Sequence, residues 1–489
     1  MNSESCSRKT YLGWFEKICS IPHESRNEQE LSNFLVEFAK ERHLAVSQDE
    51  KGNILIRKPG TSGMEHAPTV ILQGHMDMVC VKDEGLDFDF ARDPLRLVTE
   101  GDRLHADGTS LGADNGIALA YILALLDSDN VPHPPLEAVV TVDEEVGMGG
   151  ATAFDASQLT ASLFINMDSE DEGVFCVSCA GGRRSRLHIP AETEDAAPLV
   201  GNGKGHFYLI TVTGLAGGHS GLEIIKERGN SNKLLARVLD DLARRFPCRI
   251  VSLNGGTAAN AIPKESSAVV LTSAEEKELR SELDSWTEIF RHELRGADGA
   301  GLVITLADAA PADKVLTERC ATNVISAALL IPSGIASMDM NITSQRLVES
   351  SNNFAMIRME GGEIVFHCQT RSSVASKKEA LCRQIDVLAA MIGATVEHSG
   401  DYPAWEYRQD SSLRDLMTEV FQEQYGRKPK IEAIHAGVEC GILSGKLPGL
   451  DCVSIGPNLL DIHTPRERME IASVQRVWRF VLEVLKRSK

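Results

Sequence analysis

Apolar positions along the first third of the chain change period more than once. Leu31, Phe34, Leu35 and Phe38 recur at i, i+3, i+4 and i+7, the spacing of one helical face. Ser25 and Glu28 stand just ahead at capping-box spacing, so the sequence predicts a capped amphipathic helix starting after them. Short apolar runs at residues 53–57, 69–73, 136–142 and 162–166 read as buried strands. Between the second and third of these, residues 115–126 are apolar for long enough to form a buried helix. Strand and helix in alternation predict an α/β layer with a mostly parallel sheet.

The texture changes at Gly181-Gly182-Arg183-Arg184 and stays changed to about Gly400. Strand-like runs at 207–212 and 364–366 are interleaved with helical stretches at 232–246 and 274–294. Two strand-helix rounds in about 210 residues predict an inserted α+β domain built from two similar units, although no sequence repeat is visible. A helix at 412–425, a strand at 451–455 and a terminal helix at 471–485 then read as a return to the first domain.

Composition narrows the class. Charged residues are 25% and hydrophobic ones 43% of 489, the balance of a folded globular chain. Lys+Arg 50 against Asp+Glu 70 gives a net charge of -20, which disfavours nucleic acid and anionic membranes and suits cations or small molecules. No apolar run approaches the roughly 18 residues that span a bilayer, and the N-terminus lacks a secretion profile, so a cytoplasmic location is expected. The 11 cysteines are scattered and odd in number, as reduced thiols would be. Cys176 and Cys179 have no second pair to complete a zinc ribbon and are assigned to packing.

Candidate chemistry sits after the predicted strands. His75-Met76-Asp77 ends one of them, and residues two apart on a strand share a face. If one ring nitrogen of His75 binds a metal, Asp77 can hold the other. Alone, the pair is more simply a strand ending in polar residues. Glu144-Glu145, Asp168 and His463 also follow strand-like runs, and ligands gather at the carboxyl ends of strands in open α/β sheets. Asp114 lies in a glycine-rich turn, residues 107–116, at the start of the apolar helix, where alone it reads better as a cap and gains weight as a ligand only beside the other donors. Adjacent glutamates diverge, so one of Glu144 and Glu145 suits a ligand and the other a general base; spacing leaves open which. Five mixed donors exceed the three that a catalytic zinc usually takes, whereas two metals about 3.5–4 Å apart use them all, with Asp114 as the bridge.

His75-Met76-Asp77, Asp114-Asn115-Gly116, Asp143-Glu144-Glu145-Val146-Gly147, Asp168 and His463-Thr464-Pro465 together resemble the signature of the M20 di-zinc metallopeptidases in order and spacing. The longer stretches 108–116 and 399–405 are similar to its dipeptidase branch, and the likeness spans essentially the whole chain. It implies a zinc-exopeptidase-type α/β catalytic domain with a mostly parallel sheet, residues 1–186 and 398–489, and an inserted α+β lid domain, residues 187–397. It implies two Zn2+ per chain, with Co2+ or Mn2+ able to substitute. His75 and Asp168 would hold one ion, Glu145 and His463 the other, Asp114 both; Asp77 would orient His75, and Glu144 would be the base.

In the lid, the resemblance makes His219 a donor to the reacting carbonyl and makes Asn260 and Arg371 substrate-binding, Arg371 pairing with the C-terminal carboxylate. By themselves these three read as a turn residue, a turn amide and a surface cation. Gly437 would lie near the substrate, but its loop departs from the commoner Gly-Gly-Thr-Asp form, leaving the roles of His435 and Glu439 open. The implied function is hydrolysis of unblocked L-dipeptides, including Xaa-His substrates such as Ala-His or β-alanyl-His, by a homodimer that binds neither nucleic acid nor membrane. Its rivals are an N-acyl-amino-acid amidohydrolase of the same superfamily and a non-catalytic peptide-binding relative. A complete ligand set together with a spare glutamate argues against the second.

Overall fold

Four strands, Leu136–Thr141, Val70–His75, Leu163–Asn166 and Asp451–Ser454, lie side by side and parallel in that order. They form the centre of an 8-stranded sheet with antiparallel pairs at its flanks. The first two are buried at all six positions, so they read as continuous apolar runs rather than as alternation. Helix Ala113–Leu126 covers one face and is buried everywhere except at Asp114. It packs directly on Gly74, where an added Cβ would stand 2.3 Å from Asn115 Oδ1 and 2.8 Å from Ala118 Cβ. The terminal helix Ile471–Arg487 buries an apolar stripe including Val474, Trp478 and Val481, and the Tyr121 hydroxyl donates to its Val474 carbonyl at 2.6 Å. This computed structural model describes residues 3–197, 205–342 and 346–489.

The chain divides into two units, one of Met1–Cys179, Tyr407–Ala433 and Val438–Lys489, the other of Ala180–Glu406 and Ile434–Gly437. The second unit is built on a 9-stranded antiparallel sheet. Helices Ser231–Arg245 and Glu276–Glu293 accompany its first strands, and Glu318–Leu330 and Ala375–Ile392 its later ones. The two halves join where Gly255 of Cys248–Gly255 meets Ile357 of Val348–Glu360. They make one continuous sheet over one apolar core, with Phe290, Phe354 and Phe366 fully buried in it.

Helix Gln29–Glu41 forms where the apolar period placed it, but Ser25 and Glu28 do not box its end. Glu28 is the N-cap residue without a side-chain cap, and its carboxylate instead accepts the Asp143 amide at 3.0 Å. The Ser25 hydroxyl donates to Asp77 Oδ2 at 2.8 Å. Both side chains are drawn away by loops at the strand ends. Cys179 is buried and Cys176 half-buried in strand Val174–Cys179, and no disulfide occurs among the described residues. No described helix is long and apolar enough to cross a membrane.

Candidate active site

The carboxyl ends of the parallel strands gather five predicted donors of the first unit. His75, the last residue of its strand, has Nε2 3.1 Å from Asp114 Oδ1 and 3.3 Å from Asp168 Oδ1. His463 Nε2 lies 2.8 Å from Glu145 Oε1 and 3.2 Å from Asp114 Oδ2. The two oxygens of Asp114 therefore face different imidazoles. Donor atoms of His75, Asp114 and Asp168 fall within 4.8 Å of one another, as do those of Asp114, Glu145 and His463. A third such group, His75, Glu144 and Glu145, brings Glu144 to the same place.

The ring of His75 is fixed from behind. Its Nδ1 donates to the Asp77 carbonyl oxygen at 2.9 Å, which turns Nε2 to the cluster. Asp77 Oδ1 is a further 3.4 Å contact of Nδ1, but the carboxylate is mainly occupied elsewhere. It accepts the Glu144 amide at 2.9 Å and the Glu145 amide at 3.1 Å, so it also aims the turn that carries both glutamates. Burial opposes charge on Asp77; the His75 ring and these donors outweigh burial and hold its carboxyl below the usual range.

Asp114 does not cap the following helix. The first-turn backbone at Asp114 and Asn115 is non-helical, and the peptide between them is cis. Glu467, from the loop after His463, takes the buried amides of the turn instead: Leu111 N at 2.7 Å, Gly112 N at 3.0 Å and Ala113 N at 2.9 Å. A carboxylate there satisfies the orphan donors of the turn and frees Asp114 to face the histidines. Glu467 is invisible to periodicity, because its partners are some 350 residues away in sequence. Glu467→Ala is expected to cost about 3 kcal/mol, by stranding buried amides, and to lower the thermal midpoint even in metal-free protein. A melting curve matching the parent's would show that the amides find water.

Beneath the cluster runs a buried polar chain. Glu439 is fully buried, and its Oε2 accepts from Gln73 Nε2 at 2.5 Å and from the Thr141 hydroxyl at 2.7 Å. Gln73 Oε1 accepts from Asn166 Nδ2 at 2.6 Å, and the Ser454 hydroxyl donates to Asn166 Oδ1. Gln73 and Asn166 stand two residues before His75 and Asp168, on the faces that carry them. This chain ties neighbouring strands together one layer below the donors. The sequence did carry its signal: amides and hydroxyls inside otherwise apolar strands.

Acid outweighs base in this cluster. Burial, with Asp114 and Glu145 nearby, pushes the Asp168 carboxyl up to about 7. Burial also raises Glu144 well above the carboxylate range, helped by Asp168, Glu439 and Glu145. Hydrogen bonds to Asp114 and Glu145 push His463 up to about 10. His75 rises well above its usual range, although burial opposes it, because Asp168, Asp114 and Asp77 surround it. Protons here occupy places that cations suit, since ligation needs these groups deprotonated.

The second unit collects its own predicted residues. Strand Gly218–His219 pairs with Ala261–Ile262, and the Ser220 amide donates to the Asn260 carbonyl at 2.8 Å. The Asn260 side chain itself is exposed. His219 Nδ1 accepts from the Leu222 amide at 3.1 Å and the Gly221 amide at 3.3 Å, which leaves the ring proton on Nε2 as a donor. Burial and Arg371 lower the His219 pKa, which favours the neutral ring. Arg371, which taken by itself reads as a surface cation, is 6% exposed. A Cβ on Gly221 would lie 3.0 Å from His219 Cε1 and 3.2 Å from Arg371 Nε, so both groups converge on this glycine. His435 Nε2 shares a 2.7 Å hydrogen bond with the Ser351 hydroxyl, and burial with Arg371 pushes its pKa down to about 3. Gly437 ends the short segment Ile434–Gly437 of this unit.

Residues 71–487 match the model of peptidase family M20/M25/M40. The chain is 38% identical over 476 residues to the cytosol non-specific dipeptidase of Escherichia coli (strain K12), covering 96% of each. The crystal structure of aminoacylhistidine dipeptidase from Vibrio alginolyticus matches at TM-score 0.91 and 35% identity, covering 98% of this chain and 96% of that one. Aminopeptidase PepT from Bacillus cereus ATCC 10987, at TM-score 0.58 and 16% identity, shares the fold. A model match across most of the chain, and a relative of this identity and coverage, leave one assignment: the chain belongs to peptidase family M20/M25/M40.

Proposed function

We propose that the protein is a di-zinc dipeptidase that hydrolyses unblocked L-dipeptides, aminoacyl-histidines such as Ala-His and β-alanyl-His among them. The observation that carries this reading is Asp114, whose two oxygens face two different histidines inside a half-buried excess of carboxylates. That donor set suits two divalent ions of the zinc type: His75 and Asp168 for one, Glu145 and His463 for the other, Asp114 for both. Bound there, two zinc ions, or Co2+ or Mn2+ in their place, polarise a carbonyl and acidify water.

The chain's own groups do the rest. Glu144, left over from the donor set and raised in proton affinity by its surroundings, takes the proton of the attacking water and passes it to the leaving amine. Asp77 holds His75 and the backbone of Glu144 in place. His219, neutral and with its proton on Nε2, donates to the carbonyl oxygen as negative charge develops. Arg371 receives the C-terminal carboxylate, which limits the substrate to a single residue beyond the scissile bond.

Two relatives named as dipeptidases, similar over nearly the whole chain, support the substrate class. Rates on Ala-His and β-alanyl-His should exceed those on N-acetyl amino acids when the zinc-loaded protein is assayed on both. Preference for the acetylated compounds would instead make the protein an N-acyl-amino-acid amidohydrolase with the same donor set.

A further inference from the structure

The stretch Ser399-Gly400-Asp401-Tyr402-Pro403-Ala404-Trp405 stands out in the sequence, and the catalytic reading leaves it without a task. In the second unit, strand Gly181–Pro190 lies between Glu363–Ser372 and Thr395–Tyr402. Gly182 pairs with Arg371 on one side and with Tyr402 on the other. The ladder to Tyr402 shifts register after Ser399, an irregularity of the kind that re-aims a side chain.

With no side chain between them, the Tyr402 ring lies across Gly182. A Cβ there would be 2.4 Å from the phenolic oxygen and 2.5 Å from Cζ. The Tyr402 hydroxyl accepts from Arg371 Nη1 at 2.8 Å. The backbone bearing the tyrosine is fixed as well: Lys378, a buried lysine, donates to the Tyr402 carbonyl at 2.8 Å and to Asp401 at 2.6 Å. Arg183 holds the other oxygen of Asp401 at 2.8 Å.

Arg371 Nε is buried and has no partner. Tyr402 orients the guanidinium without neutralising it, and a buried cation needs an anion to offset its desolvation. We propose that Tyr402 is a positioning residue, which fixes the plane of the Arg371 guanidinium and so sets the preference for substrates with a free C-terminal carboxylate. The proposal rests on reading Arg371 as the carboxylate-binding group. A planar fork gains its advantage over a point charge only when its plane is fixed, and that is what the phenol supplies.

The experiment uses the zinc-loaded full chain, with Ala-His as substrate and free histidine and histidinamide as inhibitors. Tyr402→Phe is expected to raise KM and the histidine inhibition constant about tenfold, one hydrogen bond's worth, with kcat within about twofold of the parent. Histidinamide inhibition should not change. Gly182→Ala, which leaves both functional side chains chemically intact and displaces the ring, should reproduce the pattern if Tyr402→Phe folds poorly. In an Arg371→Ala background, Tyr402→Phe should add nothing. Equal weakening of both inhibitors, or an unchanged histidine constant where Arg371→Ala raises it, would overturn the role of Tyr402. An Arg371→Ala variant that binds histidine normally would remove the carboxylate site, and the proposal with it.

Discussion

Glu144→Ala is expected to abolish measurable hydrolysis, with kcat down by about 10³-fold or more, while two equivalents of zinc stay bound. The expectation comes from dividing labour between adjacent glutamates. Glu145 Oε1 sits 2.8 Å from His463 and belongs to the group that includes Asp114. Glu144 is turned towards His75 and is surrounded by Asp168, Glu439 and Glu145, a setting that raises its affinity for a proton. A base must be able to accept a proton and let it go, which a carboxyl of raised proton affinity outside the donor set can do, whereas a ligand, Asp168 included, gives up its proton when an ion binds. Elemental analysis beside single-turnover rates separates the roles. Loss of one zinc equivalent would make Glu144 a ligand, and unchanged turnover would take it out of the reaction. Glu144→Gln should behave like the alanine variant, because the amide keeps the shape but cannot take up the proton.

Sequence made the strands legible because the parallel ones are buried on both faces and leave unbroken apolar runs such as Val70-Ile71-Leu72. Helix Ala113–Leu126 was legible for the same reason. What periodicity could not supply was how polar groups pair over long separations. Ser25 and Glu28 satisfied a local capping rule yet bond to Asp77 and to the Asp143 amide. Asp114 by itself read better as a cap and only in the company of the other donors as a ligand, whereas Glu467 takes the amides a cap would have taken. The burial of Arg371 could not be read locally, because it depends on a glycine and a tyrosine in two neighbouring strands. The donor residues themselves were easier to find, since all but Asp114 follow apolar strands, and the topology of a parallel sheet carries strand ends to one edge.

Asp114→Asn is the sharper test of the two-ion reading, and its effect should be the largest of any single substitution: activity lost by about 10⁴-fold, the equivalent of several kcal/mol of charge stabilisation. The carboxylate spans His75 Nε2 at 3.1 Å through one oxygen and His463 Nε2 at 3.2 Å through the other. Those two imidazoles hold its carboxyl well below the usual range, although burial opposes this. Asparagine keeps one acceptor oxygen and puts two N–H donors where the second oxygen stood, so one histidine would meet a donor where it now meets an acceptor. A shared ligand fails for both ions at once, whereas a terminal one fails for its own. Asp168→Asn removes a contact to His75 alone. It should therefore weaken one zinc equivalent in a calorimetric titration, while Asp114→Asn weakens both. If the two variants lose zinc equally, Asp114 is a ligand to one ion only. The division of five donors between two ions would then have to be redrawn around Glu145 or Glu144 as the shared group.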